Sequence, residues 1–184
     1  MDGINNIDVE PEPDLAFKIT ELIHNNPLMH FFRNPYKLLK AAGLKPGLKV
    51  LEAGCGTGFF TIPASEIVGR DGFIYAVDIH PLAIKRVEEK IKQHGISNVE
   101  PVLANASKTD LQNESIDIAF VFGMHHIAGG LEGIILEMYR VLKPEGLLSF
   151  EDTEGSELIG MVEKEGFVYI GKKNRVMVFI KRKS

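Results

Sequence analysis

From Lys49 onward the chain alternates apolar strand-like runs with amphipathic helical runs, and this rhythm restricts the fold more than any other feature. "KVLEAG" reads as a buried strand and "FFTIPASEIVG" as a helix; "GFIYAVDI" is a strand, "PLAIKRVEEKIKQHG" a helix and "VEPVLAN" a third strand. After a polar connection, "ASKTDLQNES", with no clear periodicity, "IDIAFVFG" is a strand, "GLEGIILEMYRVLKP" a helix and "GLLSFED" a fifth strand. Strands separated by helices at this spacing predict a mostly parallel sheet covered on both faces. The rhythm breaks at the end. After the helix "SELIGMVEKEG", the runs "FVYIGKK" and "RVMVFIKRK" are joined by little more than Asn174, so no crossover helix fits and the two must form an antiparallel hairpin turning near "KKN".

Upstream, "DLAFKITELIHNN" spaces Leu15, Ile19, Leu22 and Ile23 as a helix, behind an acidic, Pro-containing start. In "NPYKLLKAAG", Asn34 suits a cap, Pro35 the first turn and Gly43 the end of a short helix. No repeat or linker marks a second domain. The division expected is an acidic segment and helix over 1–34, a candidate lid, and one ligand-binding domain over 35–184. A net charge of -4 gives no general attraction to nucleic acid or anionic membrane. The single Cys55 fits a reducing compartment, and no apolar run reaches the roughly 20 residues of a membrane span, so a cytoplasmic protein is expected. No metal-ligating set stands out.

The loop "VLEAGCGTGFF" decides the ligand. Gly54, Gly56 and Gly58 let the backbone turn sharply from strand to helix and approach a ligand at a helix start. The dinucleotide fingerprint G-x-G-x-x-G fails, because position 59 is Phe and position 61 is Thr; a phosphate loop fails because no Gly-Lys-Ser/Thr follows. Glu52, at the strand end beside the loop, would repel a pyrophosphate and attract an ammonium group. Twenty residues beyond Gly58 the second strand ends in Asp78, whose carboxylate can accept from both hydroxyls of an adenosine ribose, with Ile79 beside it to cover the adenine. A nucleoside carrying an amino acid fits, and S-adenosylmethionine answers that description. The plain alternatives are a tight turn for the glycines and, for Asp78, a cap for the helix beginning at Pro81.

These residues carry a resemblance to the class I S-adenosylmethionine-dependent methyltransferases, running from about Leu44 to the C-terminus. "VLEAGCGTG" resembles their first motif, with every position filled; "VDI" resembles the second, and the terminal hairpin is similar to the reversed last strands of their seven-stranded sheet. The resemblance implies a three-layer α/β, Rossmann-like methyltransferase fold with a seven-stranded, mostly parallel sheet. It also implies S-adenosyl-L-methionine as donor and S-adenosyl-L-homocysteine as product. Carried over by position, Glu52, Ala53, Gly54, Gly56 and Gly58 surround the methionine part, while Asp78 and Ile79 hold ribose and adenine. The third motif commonly has an acid beside the adenine amino group. Here the chain reads "ANA", so Asn105, followed by Ala106, is the candidate contact, and Phe122 and Gly123 face the sulfonium.

His125 and His126 in "FGMHHI" follow the fourth strand, where ligands of open sheets sit, and either could serve as base or line the acceptor pocket. Equally, one caps a turn and the other packs under the next helix. Met29, His30, Phe31, Phe32 and Arg33 would form an apolar and cationic cover, or the Phe pair is core. "NPY" at 34–36 is similar to a motif of nucleic-acid amino-methyltransferases but lies away from the fourth strand, so a helix start explains it. Arsenite enzymes need several cysteines, and this chain has one. Lys172, Lys173, Arg175, Lys181, Arg182 and Lys183 gather at the hairpin, where they either guard a sheet edge or touch RNA phosphates. The reading adopted is methyl transfer to a small-molecule acceptor, without nucleic acid or membrane as partner. The competing readings are an RNA or protein methyltransferase and a non-catalytic regulatory subunit that binds S-adenosylmethionine.

Overall fold

The computed structural model describes residues 33–123, 130–151 and 155–183. The expected helix around Leu15–Ile23 and the cover residues Met29 to Phe32 lie outside the described residues, as do His125 and His126. Among the described residues a short helix α1 (Pro35–Ala41) comes first; the Asn34 side chain accepts from the Lys37 amide at 3.1 Å, and Pro35 occupies the first turn as its fixed φ allows. There follow β1 (Lys49–Ala53), α2 (Thr61–Val68), β2 (Phe73–Asp78), α3 (Pro81–His94), β3 (Val99–Leu103) and β4 (Ile116–Val121). The chain closes with α4 (Gly130–Val141), β5 (Leu142–Glu151), α5 (Gly155–Lys164), β6 (Phe167–Lys173) and β7 (Val176–Lys181).

The seven strands form one sheet in the order β3-β2-β1-β4-β5-β7-β6. β1 pairs parallel with β2 and β4, β2 with β3, and β4 with β5, whereas β7 runs antiparallel to both β5 and β6. The class expected from the alternation is therefore the one observed. The strand order reverses direction at β1, and the crevice this opens lies at the C-terminal ends of β1 and β4, the usual binding position in an open α/β sheet.

Alternation along each strand divides the core. Val50, Ile74, Ala76, Ile118 and Phe120 pack toward α1, α2 and α3, around Leu39, Ala64, Val68 and Val87. Leu51, Ala53, Val77, Ala119 and Val121 pack on the other face, against Ile134, Ile135 and Met138 of α4 and Val162 of α5. This sandwich makes the sheet a rigid floor for whatever its loops hold.

Three local details were left open by the sequence or depart from its expectation. The connection at 104–115 contains no helix; it is clamped by Glu137, which accepts from the Thr109 amide at 2.7 Å and hydroxyl at 2.6 Å, and by Arg140, which donates to the Leu111 carbonyl at 2.7 Å. The helix α4 stops at Val141 rather than running to Pro144, and β5 begins at once, with a register shift against β4 that leaves residues 143–146 outside the pairing. The hairpin turn uses two residues, Asn174 and Arg175, both left-handed with φ of 50° and 68°. That geometry matches the twist of the flanking strands.

Candidate donor-binding site

β1 ends at Ala53 and the loop turns at once. The amides of Gly54 and Cys55 both donate to the Val77 carbonyl, at 2.8 and 3.0 Å, tying the loop to the end of β2. Gly54, Gly56 and Gly58 have φ of 77°, 51° and 78°, a region where L side chains are strained. They differ in surroundings. A Cβ on Gly58 would lie 3.3 Å from Val87 Cγ2 of α3, so a side chain here would be crowded as well as strained. A Cβ on Gly56 would meet nothing within 4 Å, so its freedom opens space beside the loop. Thr57 Oγ1 is buried and finds no hydrogen-bond partner among the described residues. A buried hydroxyl without a partner is costly, and in a loop of this kind it is a natural contact for a polar ligand.

Asp78 closes the other side. Its Oδ2 accepts from the Gly56 amide at 2.8 Å and its Oδ1 from the His80 amide at 2.9 Å, so each oxygen keeps lone-pair capacity for one further donor. Burial raises the Asp78 pKa above its ordinary value, opposed by those two amides, by His80 itself and by the Ile79 amide. The cap of α3 is His80, whose Nδ1 accepts from the Leu82 amide at 3.2 Å. The capping role considered for Asp78 thus belongs to its neighbour, and Asp78 instead joins the two loops that frame the crevice.

Glu52 lies beneath the glycine loop, on the face of the sheet covered by α2. It is 1% exposed and accepts from the Thr61 hydroxyl at 2.6 Å. Burial lifts its pKa to about 8; the Thr61 hydrogen bond opposes this and the neighbouring Asp78 carboxylate adds to it. At neutral pH Glu52 therefore holds its proton. Burial, then Asp78 and Glu52, push the Cys55 thiol well above its ordinary range, which makes it an inert core group rather than a nucleophile.

Beyond β3, Asn105 is buried, and its Oδ1 accepts from both the amide and the hydroxyl of Ser107 at 2.9 Å. The oxygen expected to meet an adenine amino group is thus engaged in a local turn, with Ala106 partly buried beside it against the second core cluster. Phe122 is buried at the end of β4. Its ring lies 5.2 Å from that of Phe60 and 4.9 Å from that of Phe120. Gly123 follows, exposed, with φ of 70°. Ile79 is half-buried next to Asp78. Glu52 to Gly58, Asp78 with Ile79, and Phe122 with Gly123 therefore stand at the ends of β1, β2 and β4, while Asn105 and Ala106 lie just past β3.

Several contributors were not singled out in the sequence: Thr57, Thr61, His80 and Glu151. The first two stand inside the glycine motif or just after it, and His80 follows Asp78 by two positions, so proximity was the available signal. Glu151 pairs with Arg33 across 118 positions, a distance no local pattern reveals. Among the grouped basic residues, Lys181 is only 3% exposed: its Nζ donates to the Leu142 carbonyl at 2.8 Å and lies 4.5 Å from the Tyr139 ring centroid. Lys181 is thus a core cation and not part of a surface patch.

A seven-stranded sheet with a reversed terminal hairpin, a G-x-G-x-G loop after β1 and an acid at the end of β2 define the class I methyltransferase fold. The chain belongs to the methyltransferase-domain family, whose model, described as "Methyltransferase domain", matches residues 44–181. Among curated proteins, the chain is similar to a demethylmenaquinone methyltransferase of Anoxybacillus flavithermus, 32% identical over 123 residues, 66% of this chain and 52% of that one. It is also similar to the protein of that name from Geobacillus stearothermophilus, 30% identical over 124 residues, 67% of this chain and 53% of that one. The chain thus spans about half the length of the curated relatives it matches. Among solved structures, an S-adenosylmethionine-dependent methyltransferase from Aquifex aeolicus superposes with a TM-score of 0.75 at 25% identity, covering 89% of this chain and 95% of that one.

Proposed function

We propose that this protein transfers a methyl group from S-adenosylmethionine to a small-molecule acceptor, an aromatic quinol of the demethylmenaquinone class. The observation that carries the donor assignment is the Asp78 carboxylate. It is anchored by the amides of Gly56 and His80, has lone pairs left for two ribose hydroxyls, and stands across an open Gly56 from the loop. Thr57 Oγ1 and Glu52 flank the position of the methionine part, and Phe122 and Gly123 that of the sulfonium. The names of the curated relatives support the acceptor class.

S-adenosylmethionine supplies an already activated methyl group, so transfer is an in-line displacement. The protein's own work is to align the acceptor and exclude water. The ring cluster of Phe59, Phe60, Phe120 and Phe122 offers a dry wall for this at the end of β4. His125 and His126 remain the proposed acceptor-side residues, on their place just after Gly123, and residues 1–34 the proposed cover for the single domain at 35–184. A cytoplasmic location is part of the proposal, supported by the buried free thiol of Cys55; among the described residues no helix is long and apolar enough to cross a membrane.

The test is incubation with methyl-labelled S-adenosylmethionine and a chemically reduced, short-chain demethylmenaquinone, with mass analysis of the quinone. A product one methyl heavier, absent with Asp78→Ala, supports the reading. Transfer instead to RNA or protein in a cell extract would favour a macromolecular acceptor served by the exposed Lys172, Lys173 and Arg175. Donor binding without any transfer would favour a regulatory subunit.

A further inference from the structure

Arg33 stands just before α1 and reaches three segments at the C-terminal edge of the sheet: the end of β5, the end of β4 and the turn before α2. Its Nε donates to Glu151 Oε1 at 3.1 Å and its Nη2 to Glu151 Oε2, a two-pronged pair with the end of β5. Its guanidinium carbon stands 4.9 Å from the Phe60 ring centroid and 5.9 Å from that of Phe59, just before α2. A Cβ on Gly123 would lie 3.1 Å from Nη2 and 3.5 Å from Nη1. The guanidinium edge therefore lies close over Gly123 at the end of β4, where a side chain would push it aside by a few tenths of an ångström. The side chains of Arg33 and Glu151 are 18% and 5% exposed.

A buried ion pair adds little net stability, because desolvating both charges offsets their attraction. Its geometry is more informative. Glu151 accepts from Nε and from Nη2, and among the described residues Nη1 donates no hydrogen bond, so that end of the fork can still donate. A lone cation here would repel a sulfonium; Glu151 cancels that charge while leaving the directional N–H groups. Methyl transfer from a sulfonium needs an electron-rich acceptor, and an aromatic hydroxyl is richest when its oxygen carries negative charge.

We propose that Arg33 binds the hydroxyl or oxyanion of an aromatic acceptor beside Gly123, and that Glu151 is the positioning residue that aims it. The inference rests on the acceptor class proposed above. It makes residue 33 a determinant of acceptor specificity rather than only a piece of a cover.

The test compares wild type with Arg33→Lys, which keeps the charge but loses the fork, and with Glu151→Gln. Two measurements are made: KM for the reduced short-chain demethylmenaquinone, and calorimetric binding of 1,4-naphthalenediol to protein saturated with S-adenosylhomocysteine. Arg33→Lys is expected to weaken both by roughly ten- to a hundredfold, the worth of a charge-assisted hydrogen bond, with Kd for S-adenosylhomocysteine changed by less than about twofold. Glu151→Gln is expected to give a smaller loss of the same kind. Unchanged diol binding in Arg33→Lys, or a parallel loss of S-adenosylhomocysteine affinity, would overturn the assignment. Wild type that binds the diol through Arg33 but does not methylate the quinol would leave it standing and overturn the proposed acceptor instead.

Discussion

Replacing Glu52 by Gln should make the protein more stable at neutral pH, and by an amount that grows with pH. The side chain is 1% exposed and its pKa is raised from the ordinary 4.5 to about 8, mainly by burial. Between those values the folded protein keeps a proton that the unfolded chain has lost. Stability from this group is complete below 4.5, falls as pH rises, and levels off above about 8. At about 1.36 kcal/mol per pKa unit, the loss at pH 7 is about 3 kcal/mol. Gln keeps the size and can still accept from the Thr61 hydroxyl, but has nothing to titrate. Urea unfolding of both proteins at several pH values between 5 and 8 gives the difference directly, with other carboxylates common to both. The variant's advantage should widen by roughly 3 kcal/mol over that range. Parallel stability curves would show that Glu52 is ionised or solvated in the folded state, and the buried-acid account of the loop floor would fail.

Glu137 should behave in the opposite sense. Arg140 and Thr109 hold its pKa down against the effect of burial, so its stabilisation is present above the ordinary carboxylate range and lost as pH falls. Glu137→Gln should cost about 1–3 kcal/mol at pH 7 by urea unfolding, and less toward acid. Gly58→Ala places a Cβ at φ 78° and 3.3 Å from Val87, so a loss of about 1–3 kcal/mol is expected, read as a lower Tm. Gly56→Ala meets no protein atom within 4 Å, so beyond a similar backbone strain it should weaken S-adenosylhomocysteine binding more than Gly58→Ala does; equal affinities would show that the space beside Gly56 is not the ligand's.

The mostly parallel sheet and its terminal hairpin were legible because each strand carries a run of apolar side chains for two faces, and because Asn174 leaves no room for a helix between the last two strands; the strand order was not. The donor loop was legible for a similar reason: three closely spaced glycines after a strand, then an acid at the end of the next. What the sequence hid depends on side chains meeting across long separations. Residues 104–115 show no clear periodicity, and their order comes from Glu137 and Arg140 on α4. Lys181 looks like one more edge lysine, yet the Leu142 carbonyl, Glu114 and the Tyr139 ring draw it inward. Asp78 was read for a ligand, while its hydrogen bonds to Gly56 and His80 show it also building the crevice. Asn105 shows the reverse, an acceptor turned to its own Ser107.

The central claim is that the crevice between the glycine loop and Asp78 holds an amino-acid nucleoside. Calorimetric titration of the wild type and of Asp78→Ala with S-adenosylhomocysteine tests it most directly, with thermal unfolding of both as the control for folding. One site per chain in the wild type, and affinity lower by a hundredfold or more in a folded Asp78→Ala, is expected from the loss of about two charge-assisted hydrogen bonds. Equal affinity in the two proteins would place the ligand elsewhere and contradict the assignment.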